Sequence, residues 1–548
     1  MNKLYDVVVA GAGPVGLFVS CELALSGAAV LVLERDLNPS SPWKKLPLGV
    51  RGINTRSVEA FYRRGLLQKL EDSVKAPGQR QLVGHFSGIM FDRANFDLSL
   101  FPYSLEGPSL AMRTTSLDRV ETVLAERAKE LGVEIRWGRA VTSILPQNTT
   151  SVTVEASVQD ADGGETKKEQ FRGRWLVGCD GGRSAVRKLA GFEFVGTEPK
   201  NTTYSILGKL TNVESLKQGF VCTDGGFYVM PPKSGWGQIG IEESDGSLIH
   251  LMEFDGGAFD RSQDLTQEHL QEVLERVTGR NDVKITKVHR ANTFTDRTKQ
   301  AMQYRRGRIF LAGDAGHIHA PLGGQGLNLG LEDAMNLGWK LGAAIRREKA
   351  SGGSDPEAEA LLETYEQERK PFGTKVMEYT RAQIAALLPD AYGRATRTIL
   401  EELINTRDGT MYLVGRAWGI ANRYPLNSNL DPDHESESFF DHPVIGRSVP
   451  DFILADGTRF GPLMRDSKGL LVNFEEESAE KAGELKSLLQ GDQSYGDRIK
   501  YLPLKADNTC GLAALLIRPD GIVAWAVDKG CEPNLDAAKA ALRRWFAF

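Results

Sequence analysis

Three glycines and a glutamate give the first chemical signal in this 548-residue chain. Gly11, Gly13 and Gly16 stand in GAGPVG, directly after the β-rich run YDVVVAG and at the start of LFVSCELALSG, which has helical spacing. Glycines there permit a tight turn and let backbone N–H groups approach a pyrophosphate, whose charge the helix N-terminus favours. Glu34 ends the next β-rich run, AAVLVLER, where a carboxylate can accept from ribose hydroxyls, and Arg35 beside it joins the candidate cofactor contacts. Strand, turn, helix and strand form a βαβ unit that binds a dinucleotide. Alone, this unit does not choose between FAD and a nicotinamide dinucleotide.

A second signal lies in GRIFLAGDAGHIHAPLGGQGLNLG, residues 307–330, which joins a buried strand, Asp314, Pro321 and a glycine-rich turn that opens a helix. A third is CDGGRSAVRKLAG, with Asp180, Arg183 and Arg187; guanidinium groups pair well with phosphate oxygens. Together these three stretches resemble the FAD-dependent aromatic hydroxylases, the class A flavoprotein monooxygenases. The resemblance implies that Asp314 bonds the ribityl chain of FAD. It also implies that backbone amides near Gly324, Gly326, Leu327 and Asn328 face the flavin pyrimidine edge, where a helix N-terminus stabilises the negative charge of reduced flavin. Asp180 is implied in cofactor handling, and Arg183 and Arg187 become candidates for the phosphates of NADPH or NADH.

Further candidates are less sharply drawn. Upstream, PLGVRGINTRSVEAFYRRGLL resembles the family's flavin-proximal segment, and Arg51 is the nearest arginine to the position that commonly touches cofactor. Arg119, before VETVLAERAKELG, stands as an FAD contact or as helix-surface charge. His317 and His319 lack the companions of a metal site, so no metal is expected; the resemblance implies a structural place for His317 in the GD turn, a catalytic base being its other reading, and Tyr228 and Arg51 are the other catalytic candidates. Phe227, Tyr228, Trp236 and Pro321 are candidates to line the substrate pocket.

These residues need elements to position them. The chain reads as α/β: a Rossmann-type FAD-binding domain over residues 1–185, with a substrate-domain insertion around 80–112, and a mainly antiparallel β substrate domain over 186–290. Residues 291–425 return to the FAD-binding domain and add a helical segment. PLNSNLDPDHESES reads as a linker, and residues 440–548 resemble the thioredoxin-like extension of the phenol hydroxylase subgroup, without a redox cysteine pair. In that region the DG of IRPDGIVAWAV suits a two-residue hairpin turn, and DADGG suits another hairpin near residue 162.

Composition supports a folded protein of several domains: 41% hydrophobic and 25% charged residues, with 67 Lys and Arg against 72 Asp and Glu, give no reason to expect nucleic acid. Five scattered cysteines suggest a reducing, cytoplasmic setting, and no stretch reads as a membrane span. The expected activity is FAD-dependent hydroxylation of a phenolic or polycyclic aromatic through a flavin C4a-hydroperoxide, with NADPH or NADH and dioxygen as co-substrates. The expected partners are small molecules, with a homodimer open. Baeyer–Villiger insertion or epoxidation on the same fold is the alternative; a flavin-linked dehydrogenase or a non-enzymatic binding protein ranks lower.

Overall fold

A computed structural model of the chain describes residues 3–71, 84–145, 150–158, 167–231, 246–426, 442–475, 479–490, 495 and 497–546. Trp236, the DADGG hairpin and nearly all of the PLNSNLDPDHESES linker lie outside the described residues.

The first sheet is built on near-continuous apolar strands, as burial on both faces requires. Its order is Arg305–Arg306, Ile309–Leu311, Lys168–Gly178, Leu4–Ala10, Val30–Leu33 and Glu134–Arg136, with Val152–Val158 and Arg139–Ile144 attached alongside Lys168–Gly178. The four central strands are parallel, and their register decides where chemistry can occur. Ala10 is level with both Leu33 and Gly178, and Gly178 is level with Leu311. The glycine loop at 11–16, the DG loop at 180–183 and the GD loop at 313–316 therefore leave the same edge of the sheet from adjacent strands. A crevice outside the carboxyl ends of parallel strands is where open α/β sheets bind ligands.

A second sheet is antiparallel, in the order Gly219–Thr223, Gly226–Met230, Ser247–Glu253, Thr202–Thr211 and Lys284–Thr295. Leu270, Val273, Leu274 and Val277 of helix Gln267–Thr278 pack on one face of it, against Tyr204, Ile206, Tyr228, Ile249 and Leu251. The opposite face turns Phe227 and Met252 toward Ala320 of the GD loop and Ile384 and Leu387 beyond it.

Two long helices follow the GD loop, Gln325–Ser351 and Pro356–Ala385. The last region carries a four-stranded sheet in the order Ile499–Pro503, Gly469–Asn473, Leu512–Ile517 and Val523–Asp528. Helix Leu535–Phe546 contributes Leu542, Trp545 and Phe546 to the core there. The hairpin between the last two strands is longer than the two-residue turn expected. Arg518 N–H donates to Ile522 O at 2.9 Å and Gly521 N–H to Arg518 O at 2.9 Å, enclosing three residues, with Gly521 at φ +84°. A three-residue loop with glycine in the left-handed position is the next most common hairpin solution.

This hairpin delivers Arg518 into a fully buried charge cluster. Arg518 Nη1 and Nη2 donate to Glu368 Oε1 and Oε2 at 2.7 and 2.8 Å, and Asp520 pairs with the same guanidinium. Lys340 Nζ lies 3.0 Å from Glu368 Oε2. Burial alone would raise the Glu368 pKa; Arg518 and Lys340 overcome it and hold the carboxyl down to about 2. The stabilisation this gives is complete above the ordinary carboxyl value of 4.5 and is lost as pH falls toward 2. Removing one partner of a buried ion pair strands the other charge. Arg518→Met is accordingly expected to cost about 3–5 kcal/mol in denaturant unfolding at neutral pH, and a loss below about 1 kcal/mol would show that the cluster does not hold the domains together.

Candidate functional site

Close approach of backbones dictates the glycine loop. A Cβ on Gly11, whose φ is +102°, would stand 2.5 Å from Cys179 O, and a Cβ on Gly16 would stand 2.0 Å from Gly11 O. At Gly13 nothing lies within 4 Å of that position, so the loop's outer side is open at the start of helix Pro14–Leu25. Glu34 Oε2 accepts from Ala12 N–H at 2.7 Å and Oε1 from Asp36 N–H at 2.9 Å. The carboxylate thus braces the loop and keeps lone pairs for a further donor. Arg35 is exposed and pairs with Asp36 at 3.3 Å.

The DG loop is a clamp. Asp180 accepts from Ser184 Oγ at 2.5 Å and from the backbone N–H groups of Ala185 and Val186 at 2.6 and 3.0 Å, capping the short helix Ala185–Leu189. Arg187 is buried; it donates to Ala315 O and Gly182 O, both at 2.9 Å, and its guanidinium sits 3.8 Å over the Phe194 ring. In place of the open phosphate contact expected of it, Arg187 forms a strut joining the DG and GD loops. Burial lowers its pKa, with Asp180 opposing. Arg183 is exposed and lies near enough to Arg261 to depress its pKa further, burial being the larger cause.

Asp314 has no hydrogen-bond partner among the described residues. It is open to solvent by surface area, yet sits deep enough that desolvation raises its pKa, with His317 and Arg51 pulling the other way. A solvent-accessible but enclosed carboxylate is one that lines a cleft. Arg51 faces the same space: its Nη1 donates to Val50 O at 2.7 Å, and burial lowers its pKa against the attraction of Asp314 and Glu121. That placement makes Arg51 a neighbour of Asp314. Arg119 instead spends its Nε on Lys69 O at 2.7 Å.

Helix Gln325–Ser351 begins on Gly324 at φ +64° with no side-chain cap, so its first-turn N–H groups are left for a ligand. Pro321 and Gly324 are exposed, Gly326 and Leu327 half-buried. Asn328 is buried, and its side chain ties the helix start to the segment before it, donating to Gly52 O at 3.0 Å and accepting from Asn54 N–H at 2.9 Å.

Two of the catalytic candidates are buried away from the cleft. His317 is buried, its Nε2 lying 2.7 Å from Asp333 Oδ2, and it faces the core rather than the cleft. Tyr228 is buried against helix Gln267–Thr278, and its hydroxyl accepts from Lys217 N–H at 3.2 Å. Alternation along the strand explains the split: Phe227 and Tyr228 are consecutive, so only Phe227 points toward the GD loop. Around Phe227 stand residues the motifs did not mark. Phe220 stacks on Phe227 at 6.2 Å and lies 4.3 Å from the His85 ring, and Gln383 accepts from Ser87 N–H at 3.0 Å. Burial lowers the His85 pKa to about 4. Short, irregular segments supply His85 and Ser87, so no periodicity announces them.

The model of the FAD binding domain matches residues 4–380, and that of the aromatic-ring hydroxylase C-terminal region matches residues 442–547. A monooxygenase of Claviceps purpurea is 39% identical over 546 residues, covering 98% of this chain and 97% of its own. The 12-dehydrotetracycline 5-monooxygenase/anhydrotetracycline 6-monooxygenase of Streptomyces rimosus is 36% identical, with 99% of each chain covered. Among solved structures, the anhydrotetracycline hydroxylase OxyS of Streptomyces rimosus superposes with a TM-score of 0.79 at 32% identity, each chain covered in full. Family models over both halves, full-length relatives and three motif loops meeting at one sheet edge lead to one conclusion: the chain belongs to the FAD-dependent aromatic-ring hydroxylases and is a flavoprotein monooxygenase.

Proposed function

We propose that this monooxygenase hydroxylates an electrically neutral aromatic compound, polycyclic or phenolic, in the cleft between the GD loop and the antiparallel sheet. The observation that carries the substrate class is the apolar character of the packing between the sheet and the GD loop. Phe227, Met252, Ala320, Ile384 and Leu387 form one apolar cluster with Leu322 and Phe220 packed on it, and none of these carries charge. His85 at the edge is neutral near pH 7, and Arg397 is committed to Ser87 O at 2.6 Å. A carboxylate-bearing substrate would be desolvated there without a partner among the described residues, at a cost of several kcal/mol. The Streptomyces rimosus relatives, named for anhydrotetracycline, support a bulky aromatic.

The cofactor reading follows the open positions. Gly13 would hold the FAD diphosphate, Glu34 the adenosine ribose, Asp314 the ribityl chain, and the uncapped turn of Gly326, Leu327 and Asn328 the pyrimidine edge. The chemistry supplied by bound flavin is acceptance of hydride from a nicotinamide and activation of dioxygen. The chain's part is to orient both rings and exclude water with the Phe227 wall. Arg183 and Arg261 present two neighbouring guanidiniums at the rim for the phosphates of NADPH, or of NADH.

Residues 1–185 and 291–425 form the Rossmann-type unit, 186–290 the substrate sheet, with 80–112 joining it, and 440–548 a thioredoxin-like scaffold. In that scaffold Cys510 and Cys531 are unpaired, which fits a structural role in a reducing cytoplasm. Among the described residues no helix is long and apolar enough to cross a membrane. Tyr392, Ile399, Leu403 and Tyr412, all exposed on neighbouring helices, support contact between two copies.

Two measurements test this. Asp314→Ala is expected to weaken FAD binding about tenfold or more, as loss of a charge-assisted hydrogen bond does, read by flavin fluorescence on titrating apoprotein. Oxygen uptake with NADPH should rise with neutral polycyclic phenols and not with their carboxylated analogues. Equal stimulation by the carboxylated compounds would overturn the neutral-substrate reading.

A further inference from the structure

Where the last domain meets the flavin-binding half, arginines are answered by carboxylates: Arg64 by Glu22, and Arg518 by Glu368 and Asp520. One stretch of the same seam differs. Arg56, Arg63 and Arg423 line one cavity there, Arg56 and Arg447 line the next, and Glu59 is a wall of both. Glu59 is already spent, lying 3.1 Å from Arg56 Nη1 and 3.7 Å from Arg63 Nη2 and accepting from the Ser448 hydroxyl at 2.6 Å. The other carboxylates of the first cavity, Glu332 and Asp520, are held by Arg369 and Arg518. Arg423 donates only to the carbonyls of Ile445 and His442, and Arg447 Nε donates to Pro443 O at 3.0 Å. Among the described residues neither has a carboxylate, and the two Nη groups of Arg447 have no partner. Burial lowers the Arg447 pKa, and the like charges of Arg423 and Arg56 lower it further.

The cavity that Arg447 lines holds about 120 Å³. Its wall also carries Tyr103 and Ser104, whose hydroxyls have no hydrogen-bond partner among the described residues. Asp528 lies near enough to Tyr103 to oppose ionisation of the phenol, but it is engaged by His442 Nε2 at 3.1 Å and does not line the cavity. A guanidinium with both Nη groups open presents a fork that fits two oxygens of one anion. Hydroxyls from a second chain segment add donors outside the plane of that fork. A planar carboxylate has no further oxygen to offer them, whereas a tetrahedral oxyanion does. No residue of the glycine, DG or GD loops lines this space, so it is separate from the flavin cleft.

We propose that this cavity binds a phosphate group, taken in the fork of Arg447, with Tyr103 and Ser104 donating to its remaining oxygens. The bound charge offsets the repulsion among Arg56, Arg423 and Arg447. It also joins three segments of the seam: residues 103–104, the turn that carries Arg447, and helix Thr55–Arg63 through Arg56, which donates to Gly419 O and Asn422 O, both at 3.0 Å. The anion thereby acts as a counter-charge that this part of the seam lacks among its own side chains.

The experiment is a calorimetric titration of the full-length, FAD-saturated protein with inorganic phosphate, at an ionic strength held constant with sodium chloride. Saturating FAD keeps its diphosphate turn filled. The parent should show one phosphate site per chain. Arg447→Gln should weaken that site about tenfold or more, as loss of a bidentate, charge-assisted contact does, and Tyr103→Phe about fivefold. Should Arg447→Gln fail to fold, the double variant Tyr103→Phe with Ser104→Ala carries the test and is expected to lose about tenfold. Arg183→Gln should bind phosphate as the parent does. A site lost with Arg183→Gln and kept with Arg447→Gln would place the ion at the rim of the flavin cleft and overturn the proposal. Absence of any phosphate heat in the parent overturns it too, because the Arg447 fork is then answered from within the chain or by solvent. Glycerol 3-phosphate separates the two sources of the group: equal binding by the ester identifies the phosphate end of a metabolite, and binding of inorganic phosphate alone identifies the free ion, each supporting the site only where Arg447→Gln abolishes it.

Discussion

Asp333 is a buried carboxylate that the flavin site does not touch, yet every part of the GD loop is referred to it. Its Oδ2 accepts from Gly313 N–H at 3.0 Å and meets His317 Nε2 at 2.7 Å, while its Oδ1 accepts from Arg369 Nε at 2.8 Å. Arg369 in turn donates to Glu332, to Leu329 O and to the Tyr424 hydroxyl. Gly313 has φ +62°, and a Cβ there would stand 2.9 Å from Val15 of the first helix, so the loop is forced close to the dinucleotide turn. A charge held at the end of such a network has few alternative geometries, because each displaced partner would leave a buried ion unpaired. The position of Asp314, and so of the cleft, follows from that rigidity.

The network does not stop inside the flavin-binding half. Glu368 is the neighbour of Arg369 on the same helix, and it binds Arg518 from the last domain. The Tyr424 ring stands between the two arginines, 5.9 Å from the Arg369 guanidinium carbon and 5.7 Å from that of Arg518. A second buried pair, Glu22 with Arg64 at 2.6 Å, ties the first helix to Met464 O and Pro519 O in the same way. Two separate ionic joints therefore fix the last domain to the two helices that flank the cofactor loops.

Much of this was legible in the residues. The glycine loop, the GD turn and the DG turn are local patterns whose chemistry depends on backbone approach, and glycine types at fixed spacing report it directly. Phe227 was legible as an aromatic on a strand of the middle region, but its partner Tyr228 was indistinguishable until the pleat assigned one to each face. His317 and His319 stand two residues apart in HIH, yet one is locked to Asp333 and the other is turned onto the carbonyl of Ala320. Arg187 could not be read because its partners are backbone carbonyls, which leave no mark on composition. Asp333, Glu368 and Arg518 were invisible for a related reason: an ion pair spanning 150 residues has no local period, and each charge alone resembles ordinary helix or turn polarity.

The Arg518 joint also bears on how the protein comes apart. Glu368 holds two cations at once, Lys340 from its own half and Arg518 from the last domain. Withdrawing the hairpin would take one of those cations from a buried carboxylate and leave Arg518 with Asp520 alone. Neither half can lose the other without exposing or stranding buried charge, so the two are tied into one cooperative unit instead of opening in sequence.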